Sequence, residues 1–485
     1  MKTLLSATLM TLLGVLLGCS VGPDFERPAA PDTERYTPTP LDAAGPVLKV
    51  VPSDALPGEW WKVLGSAEVN GLVARALEHS PNLAEARARL TQARELLAAR
   101  TGATQYPSLD ASFGAKRQRI DPATFGFPQA PNPGVFNVFS LGAQASYMFD
   151  IFGGSRRELE ALAARVDYEG FQTEASRMIL ATNVVTTAIR LASLESRIDA
   201  ASAILGYRRE ELVITQGRFD LGAVPRSEVE RKAELAADAE ASLPPLRAQR
   251  EQSVHLLAIF LGEAPGTAVL PSFSLAGFKL PEELPLVLPA DLVRRRPDVR
   301  ASEALIHEAC ANVGVATADL YPKLVLSGSV TPSSLRLSDL FSNGINVWSV
   351  GANLMQPLFH GGELTAKQRA AVAAYEQAGA AYKQVVLEAL RNVADTLRSL
   401  EADAQAYTAL SVRADRTEEE FRIANGQFGL GGVSRLTLLE TERKRREAID
   451  ARLQSFANRC GDVAALYQAL GGGGIREIDG RPSTD

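Results

Sequence analysis

No proline breaks the chain between residues 362 and 425. Within that run Val372, Tyr375, Gly379, Tyr382, Val386, Leu390, Val393, Leu397 and Leu400 step by threes and fours. A seam repeating about every 3.5 residues predicts a helix that supercoils left-handed against a partner. Globular helices usually stop within about 20 residues. At about 1.5 Å per residue this one would run on the order of 95 Å. The alanines crowding it would let neighbouring helices approach closely. An amphipathic helix lying on a compact core would show the same period, but not this length.

The chain also says everything twice. "SPNLAEARARLTQAR" from Ser80, with Tyr106-Pro107 after it, matches "RPDVRASEALIHEAC" from Arg296, with Tyr321-Pro322 after it. "FDIFGGSRRELEALAARVDYEGF" matches "QPLFHGGELTAKQRAAVAAYEQA", and "RFDLGAVPRSEVERKAEL" matches "QFGLGGVSRLTLLETERK". The order is the same in both halves, so the chain is a duplication, with a period too long for a solenoid unit. Each half reads as helix, strand, strand, long helix, turn, helix. The flanking helices over 68–103 and 227–262 would match the long one only when stacked end to end. A continuous helix beside a stacked pair is the expected unit.

The strands have another character. Leu141, Ala143, Ala145, Tyr147 and Phe149 alternate with Ser140, Gln144 and Ser146; Trp348, Val350, Ala352 and Leu354 alternate with Ser349, Gly351 and Asn353. An apolar face against a small, polar one is the pattern of a membrane barrel strand, although a half-buried soluble strand shares it. Four strands fall short of the roughly eight in the smallest membrane barrels, so several chains must pool theirs.

Leu4 to Leu17, after Lys2, has the length of a signal-peptide core. It is shorter than the roughly 20 residues of a membrane-spanning helix. In place of a small-residue cleavage site stands Leu16-Leu17-Gly18-Cys19, which resembles the bacterial lipobox. That resemblance implies cleavage after Gly18 and a lipid, palmitate included, on Cys19. Ser20, where an aspartate would retain the protein in the inner membrane, points to the outer one.

Little else suggests chemistry. Charged residues make up 22% of the chain and the net charge is −6, which argues against a nucleic-acid partner. Cys310 and Cys460 have neither C-x-x-C spacing nor nearby histidines, and His79, His255, His307 and His360 are scattered. No metal site, cofactor or catalytic constellation is expected.

"CSVGPDFERP", "EWWKVLGSAEVNGLVARAL", "LVRRRPDVRASEA", "ADLYPKLVLSG" and "LYQALGGGG" together resemble signatures of the TolC-like outer-membrane factor family. The likeness is to its lipoprotein branch, which serves resistance-nodulation-division efflux pumps, and it spans Cys19 to Gly474. It implies a mainly helical fold with a membrane β-barrel. A homotrimer would share twelve strands, and long hairpins would form a periplasmic α-barrel with a mixed equatorial belt. The expected divisions are a signal peptide over 1–18, a lipidated extension over 19–66 and a first repeat over 67–270. An equatorial linker over 271–290, a second repeat over 291–474 and a tail over 475–485 follow.

The resemblance also assigns roles. The two hairpin turns, Phe219–Arg226 and Phe428–Arg435, become tips that contact a periplasmic adaptor through Gly222, Val224, Arg226, Gly431, Val433 and Arg435. Matching Gly431 to the family's tip glycine puts a gate at Leu436, Glu440 and Arg443, whose spacing shares one helical face. Three Leu436 side chains would form a plug and three Glu440 a negative ring, with Arg443 on a neighbour's carboxylate. Relatives often carry aspartate where Glu440 stands. Glu228 matches an acidic position that ties helices together in some members. Glu447, two turns along the same helix, is expected away from the constriction. An exposed Glu–Arg pair of little consequence fits the bare spacing equally well.

The leading function is therefore a passive exit duct, with an adaptor, an inner-membrane RND transporter and outer-membrane lipid as partners. A duct for type I protein secretion and a lipid-anchored scaffold without a channel are the alternatives. Cargo is not written in the sequence.

Overall fold

The computed structural model describes residues 20–33, 35–39, 49–52, 56–126, 128–129, 131–132, 134–341 and 345–472. The expected signal peptide, Cys19 and the tail lie outside the described residues. In chain order the elements are β1 (Lys49–Pro52), α1 (Ala67–His79), α2 (Pro81–Gln105), β2 (Ser108–Arg119), β3 (Val135–Phe149) and α3 (Gly154–Asp220). Then come α4 (Arg226–Ala241), α5 (Leu243–Phe260), β4 (Glu283–Leu286), α6 (Pro289–Arg295) and α7 (Pro297–Ala318). The chain closes with β5 (Lys323–Ser334), β6 (Ile345–Met355), α8 (Glu363–Gly429) and α9 (Arg435–Ala469).

The long helix stands where the seam predicts it, and α3 repeats it: both have 67 residues. The duplication is exact in register through this part. Helix α8 begins 209 residues after α3 (363 against 154), and α9 begins 209 after α4 (435 against 226). The flanking helices differ from expectation, because each is broken once. Pro81 separates α1 from α2, and Pro244 and Pro245 sit in the first turn of α5 after the break at Ser242. A proline supplies no N–H and its ring disfavours a helical residue before it. The corresponding stretch of α9 has no proline and is continuous.

The seam of α8 is buried from Tyr382 through Val386, Val393 and Leu397 to Leu400. Earlier on the same seam Tyr375 and Gly379 are half-buried and Val372 is exposed, so cover thins toward the start of the helix. One window of α3 is long and apolar enough to cross a membrane. Its Val184, Val185, Ala188, Ile189 and Ala192 are buried in protein, so it is core.

The chain divides into two compact units, 1–27 with 90–168 and 302–382, and 28–89 with 169–301 and 383–485. The first holds an antiparallel sheet in the order β2-β3-β5-β6. The second holds the parallel pair β1-β4, which joins the N-terminal extension to the linker between the repeats. Several of the signature residues build this second unit. Trp60 is fully buried and stacks on Tyr467 of α9 at 5.5 Å. Arg296 donates from Nη1 to the carbonyl of Ala469 at 2.8 Å, satisfying a helix end that carries partial negative charge. Gly471 and Gly472, both with positive φ, turn the chain there, and Gly472 N–H donates to the Tyr467 carbonyl at 2.7 Å.

Candidate functional site

In the first unit, the register of the sheet sorts side chains by face. Leu141 pairs with Phe113, and Ala145 lies between Leu109 and Gly328. Tyr147 pairs with Leu326, which pairs with Ala352; Phe149 pairs with Leu324, which pairs with Leu354; Val330 pairs with Trp348. Directly opposite residues share a face, so one face is apolar across all four strands. The other face carries Asp110, Gln144 and Ser329 in one row and Ser146 and Ser327 in the next. Ser329 and Ser349 hydrogen-bond across it at 2.8 Å. On the apolar face Trp348 is 72% exposed, and Val350 and Leu354 are exposed with it. The outer edges of β2 and β6 pair with no other strand among the described residues. A flat apolar face with two open edges is unstable in water as a single copy.

In the second unit, the two helical turns share one hydrogen-bond pattern. Ala223 N–H donates to the Arg218 carbonyl and Gly222 N–H to Phe219, both at 2.8 Å. Gly432 to Gln427 at 2.8 Å and Gly431 to Phe428 at 3.0 Å repeat it. Gly222 and Gly431 each have φ 75°, where a side chain would be strained. Ser434 caps α9 by accepting from Thr437 N–H at 3.2 Å, whereas Pro225 precedes α4 without a side-chain cap. Val224 and Val433 are half-buried behind the turns. Leu221, 86% exposed, and Leu430, 90% exposed, stand at the two apices. The sequence reading passed over both leucines for the glycines beside them.

The candidate gate residues do share a face. At about 100° per residue, Leu436, Glu440, Arg443 and Glu447 fall within a narrow arc. Leu438, Thr441 and Ala448, all buried, point away from that arc, and the buried Leu439 adjoins it on the Arg443 side. Within one chain each charged member has a partner close by. Arg443 holds Glu447 of its own helix at 2.6 Å, so Glu447 is not a bystander. Glu440 is exposed, with Lys444 at 3.5 Å, and Lys444 also reaches Glu420 of α8 at 3.6 Å. Glu228 pairs with Arg231, three residues on, at 2.6 Å.

Apart from Arg435, the ties between helices come from residues that the sequence did not single out. Glu210 of α3 accepts from Arg435 Nε at 2.7 Å and Nη2 at 3.0 Å, a bidentate pair. The Arg435 hydrogen bonds hold the Glu210 carboxyl below the usual carboxylate range. Tyr207 of α3 donates to Glu442 of α9 at 3.1 Å, and burial together with that carboxylate pushes its phenol up. Glu211, 2% exposed, accepts from Lys232 of α4 at 2.8 Å and from Arg208 at 3.1 Å. Helix α3 therefore holds both return limbs beside their tips. Arg435 in particular is committed to Glu210 rather than presented freely.

The chain thus combines a sheet with one exposed apolar face and, in its second unit, paired helical hairpins. Residues 72–263 and 288–472 match the outer membrane efflux protein family, and the chain belongs to that family. It is similar to the pyoverdine export outer membrane protein OpmQ of Pseudomonas aeruginosa, with 31% identity over 450 residues covering 90% of this chain and 93% of OpmQ. The solvent efflux pump outer membrane protein SrpC of Pseudomonas putida is 27% identical over 467 residues, covering 96% and 97%. Among solved structures, the outer-membrane channel OprN superimposes with a TM-score of 0.80 at 28% identity, covering 94% of this chain and 99% of that one. The protein is an outer-membrane channel of the efflux-pump class, and it is not an enzyme.

Proposed function

We propose that three copies of this chain form the exit duct of a tripartite efflux pump, carrying small molecules passively from the periplasm to the exterior. One observation carries the reading: a four-stranded sheet, apolar on one face and small-polar on the other, with both edges open. Three such sheets joined edge to edge make twelve strands, which bury every edge and put the apolar face toward lipid. The repeats 67–270 and 291–474 supply the helical conduit, and the linker 271–290 and extension 19–66 supply its belt. The names of OpmQ and SrpC support small-molecule cargo.

The anchor is a lipid on Cys19, exposed after removal of 1–18. The tips, through Leu221, Val224, Leu430 and Val433 around the turn glycines, dock a periplasmic adaptor that links to an inner-membrane RND transporter. Leu436, Glu440 and Arg443 close the periplasmic end, and Glu228 lies beside them at the first tip. Cross-linking of the protein in outer membranes should give a three-chain species, and the purified protein should give discrete conductance steps in a planar bilayer. A monomer that forms no channel would overturn the reading.

A further inference from the structure

The first unit contains a clasp and a pocket that the duct reading leaves unused. The clasp grips residues 20–27. Val21 N–H donates to the Phe152 carbonyl at 3.1 Å, and Arg157 Nε donates back to the Val21 carbonyl at 3.3 Å. Arg157 is 5% exposed; its Nη1 reaches Glu160 at 2.7 Å and its Nη2 reaches Asp24 at 2.5 Å. Phe25 stacks on His307 at 4.3 Å, and His307 Nε2 lies 2.9 Å from Glu160. The chain passes so close that side chains are excluded beneath it. A Cβ on Gly153 would come within 2.8 Å of the Ser20 Cα, and one on Gly22 within 2.5 Å of the Gly314 Cα. Ser20 is thus fixed over the turn that joins β3 to α3.

The pocket opens at that same turn. It has a volume of about 140 Å³; Phe149, Ile151, Phe152, Val315 and Pro322 give it an apolar part, and Arg100, Asp150, Glu158, Asp319 and Lys323 a charged one. Arg100 is held there by its Nη2, which donates to Glu158 of the same lining. Phe152 belongs both to the pocket lining and to the clasp. The residue before Ser20 is Cys19, whose Cα is held about 3.8 Å from that of Ser20 by the peptide bond.

We propose that this pocket seats the glyceryl end of the lipid carried by Cys19, which rests on the lipidation reading above. The occupant is this chain's own anchor because the clasp delivers the chain to the pocket's edge one residue before the modified cysteine. The chemistry fits a thioether-linked glyceryl ester: Phe149, Ile151, Phe152, Val315 and Pro322 for the first methylenes, and the cationic side chains of Arg100 and Lys323 in the same lining for the ester oxygens. At roughly 30 Å³ per water-sized volume the space takes a glyceryl group and the head of one chain, so the acyl tails continue into the bilayer. The lipid then acts as a fixed strut at the strand–helix junction rather than as a loose tether.

Thiol labelling of the full chain in native membranes tests this. Ser155→Cys places a thiol in the pocket lining, and Ser227→Cys places one on the exposed first tip. Cys310 and Cys460 are buried, and burial raises both thiols, so the parent chain serves as the blank. Each variant is made lipidated, and also as Cys19→Ala behind an ordinary signal peptide. Labelling by a small methanethiosulfonate at Ser155→Cys should be on the order of tenfold slower in the lipidated form, since an occupied pocket blocks reagent access. Ser227→Cys should label equally in both. Equal rates at Ser155→Cys, with intact mass showing an acylated Cys19, would overturn the seat while leaving lipidation standing. Protection in both forms would assign the pocket to bulk phospholipid and also overturn it. An intact mass with unmodified Cys19 would sink the lipidation reading itself.

Discussion

At the first tip Arg226 reaches no further than Glu230, in its own helix at 3.2 Å, and both are exposed. At the second tip the corresponding Arg435, 209 residues on, crosses to Glu210 of α3. The helix before each tip differs in the opposite sense. Glu210 and Glu211 of α3 hold two other helices, whereas their counterparts Glu419 and Glu420 of α8 are exposed, with Arg422 at 2.6 Å and Lys444 at 3.6 Å. Duplication kept the backbone of the turn and released its side chains. The result is that α4 is locked to α3 through a buried carboxylate, while α9 is latched by partly exposed pairs. Partly exposed pairs contribute little each and open readily. The latched limb is the one that carries Leu436, Glu440 and Arg443.

The largest expected effect tests the lock. Glu211→Ala leaves Lys232 and Arg208 facing each other in a nearly dry site. It should cost about 2–3 kcal/mol, below the figure for a fully buried pair because both cations keep some water. Glu420→Ala should cost under about 0.5 kcal/mol. Thermal melting of the helical circular dichroism, on detergent-solubilised protein, reads both. Equal losses would erase the distinction between lock and latch.

The latched limb should respond in conductance rather than in stability. Leu436→Ala with Arg443→Ala should raise single-channel conductance severalfold. Glu440→Gln should lower cation preference with little change in conductance, because charge at a constriction is focused by low-dielectric walls. Glu230→Gln at the first tip is the control, and equal selectivity changes from the two would remove Glu440 from the ring. Glu447→Gln cannot serve as that control, since Glu447 holds Arg443; it should raise conductance part of the way.

What the sequence made legible follows from what is periodic. The seam of α8, the alternation in β3 and β6 and the repeated "LGAV" and "LGGV" are regular patterns with direct backbone consequences, and the elements lie where they predict. The helix breaks at Pro81 and Pro244 escape a reading that runs one helix through each of 68–103 and 227–262, although proline marks both. The latch was not legible. Glu210 and Glu211 read as any solvated acidic pair on a long helix, and nothing local marks their partners at positions 435 and 232. A tie between helices far apart in sequence depends on rotation about the helix axis, which a period near 3.5 fixes only approximately.

A smaller effect concerns the latch directly. Arg435→Ala should increase the time the purified channel spends open, and Arg226→Ala should not. The charge swap Glu210→Arg with Arg435→Glu should restore the closed behaviour, since the pair is rebuilt in reverse. Acidification should mimic Arg435→Ala. A carboxyl held low by its partner contributes while ionised, and loses that contribution as pH falls through its depressed value. A channel equally closed in both single variants would show that the cross-helix pair latches nothing.

The smallest expected effect lies farther along the same limbs and separates the halves by pH. Burial, and the hydrogen-bonded Asp403 carboxyl beside it, push Asp462 of α9 up to about 7, against the weaker opposing pull of the Arg459 guanidinium. The corresponding positions of the first half are Ser253, buried with its hydroxyl donating to the Gln249 carbonyl at 2.8 Å, and the buried Leu194. Neither titrates, so only the second half carries this pair. The folded value lies above the unfolded one, so between the ordinary carboxylate range and pH 7 the native chain binds the extra proton. Stability from this group is therefore complete below that range, falls as pH rises toward 7, and is flat above it. Asp462→Asn keeps a neutral hydrogen-bonding group at every pH. The melting temperature of the variant should match the parent near pH 4 and exceed it at pH 8, by a margin smaller than the loss in Glu211→Ala. A difference that stays constant from pH 4 to pH 8 would show that Asp462 is ionised throughout. The two return limbs would then differ in their latch alone.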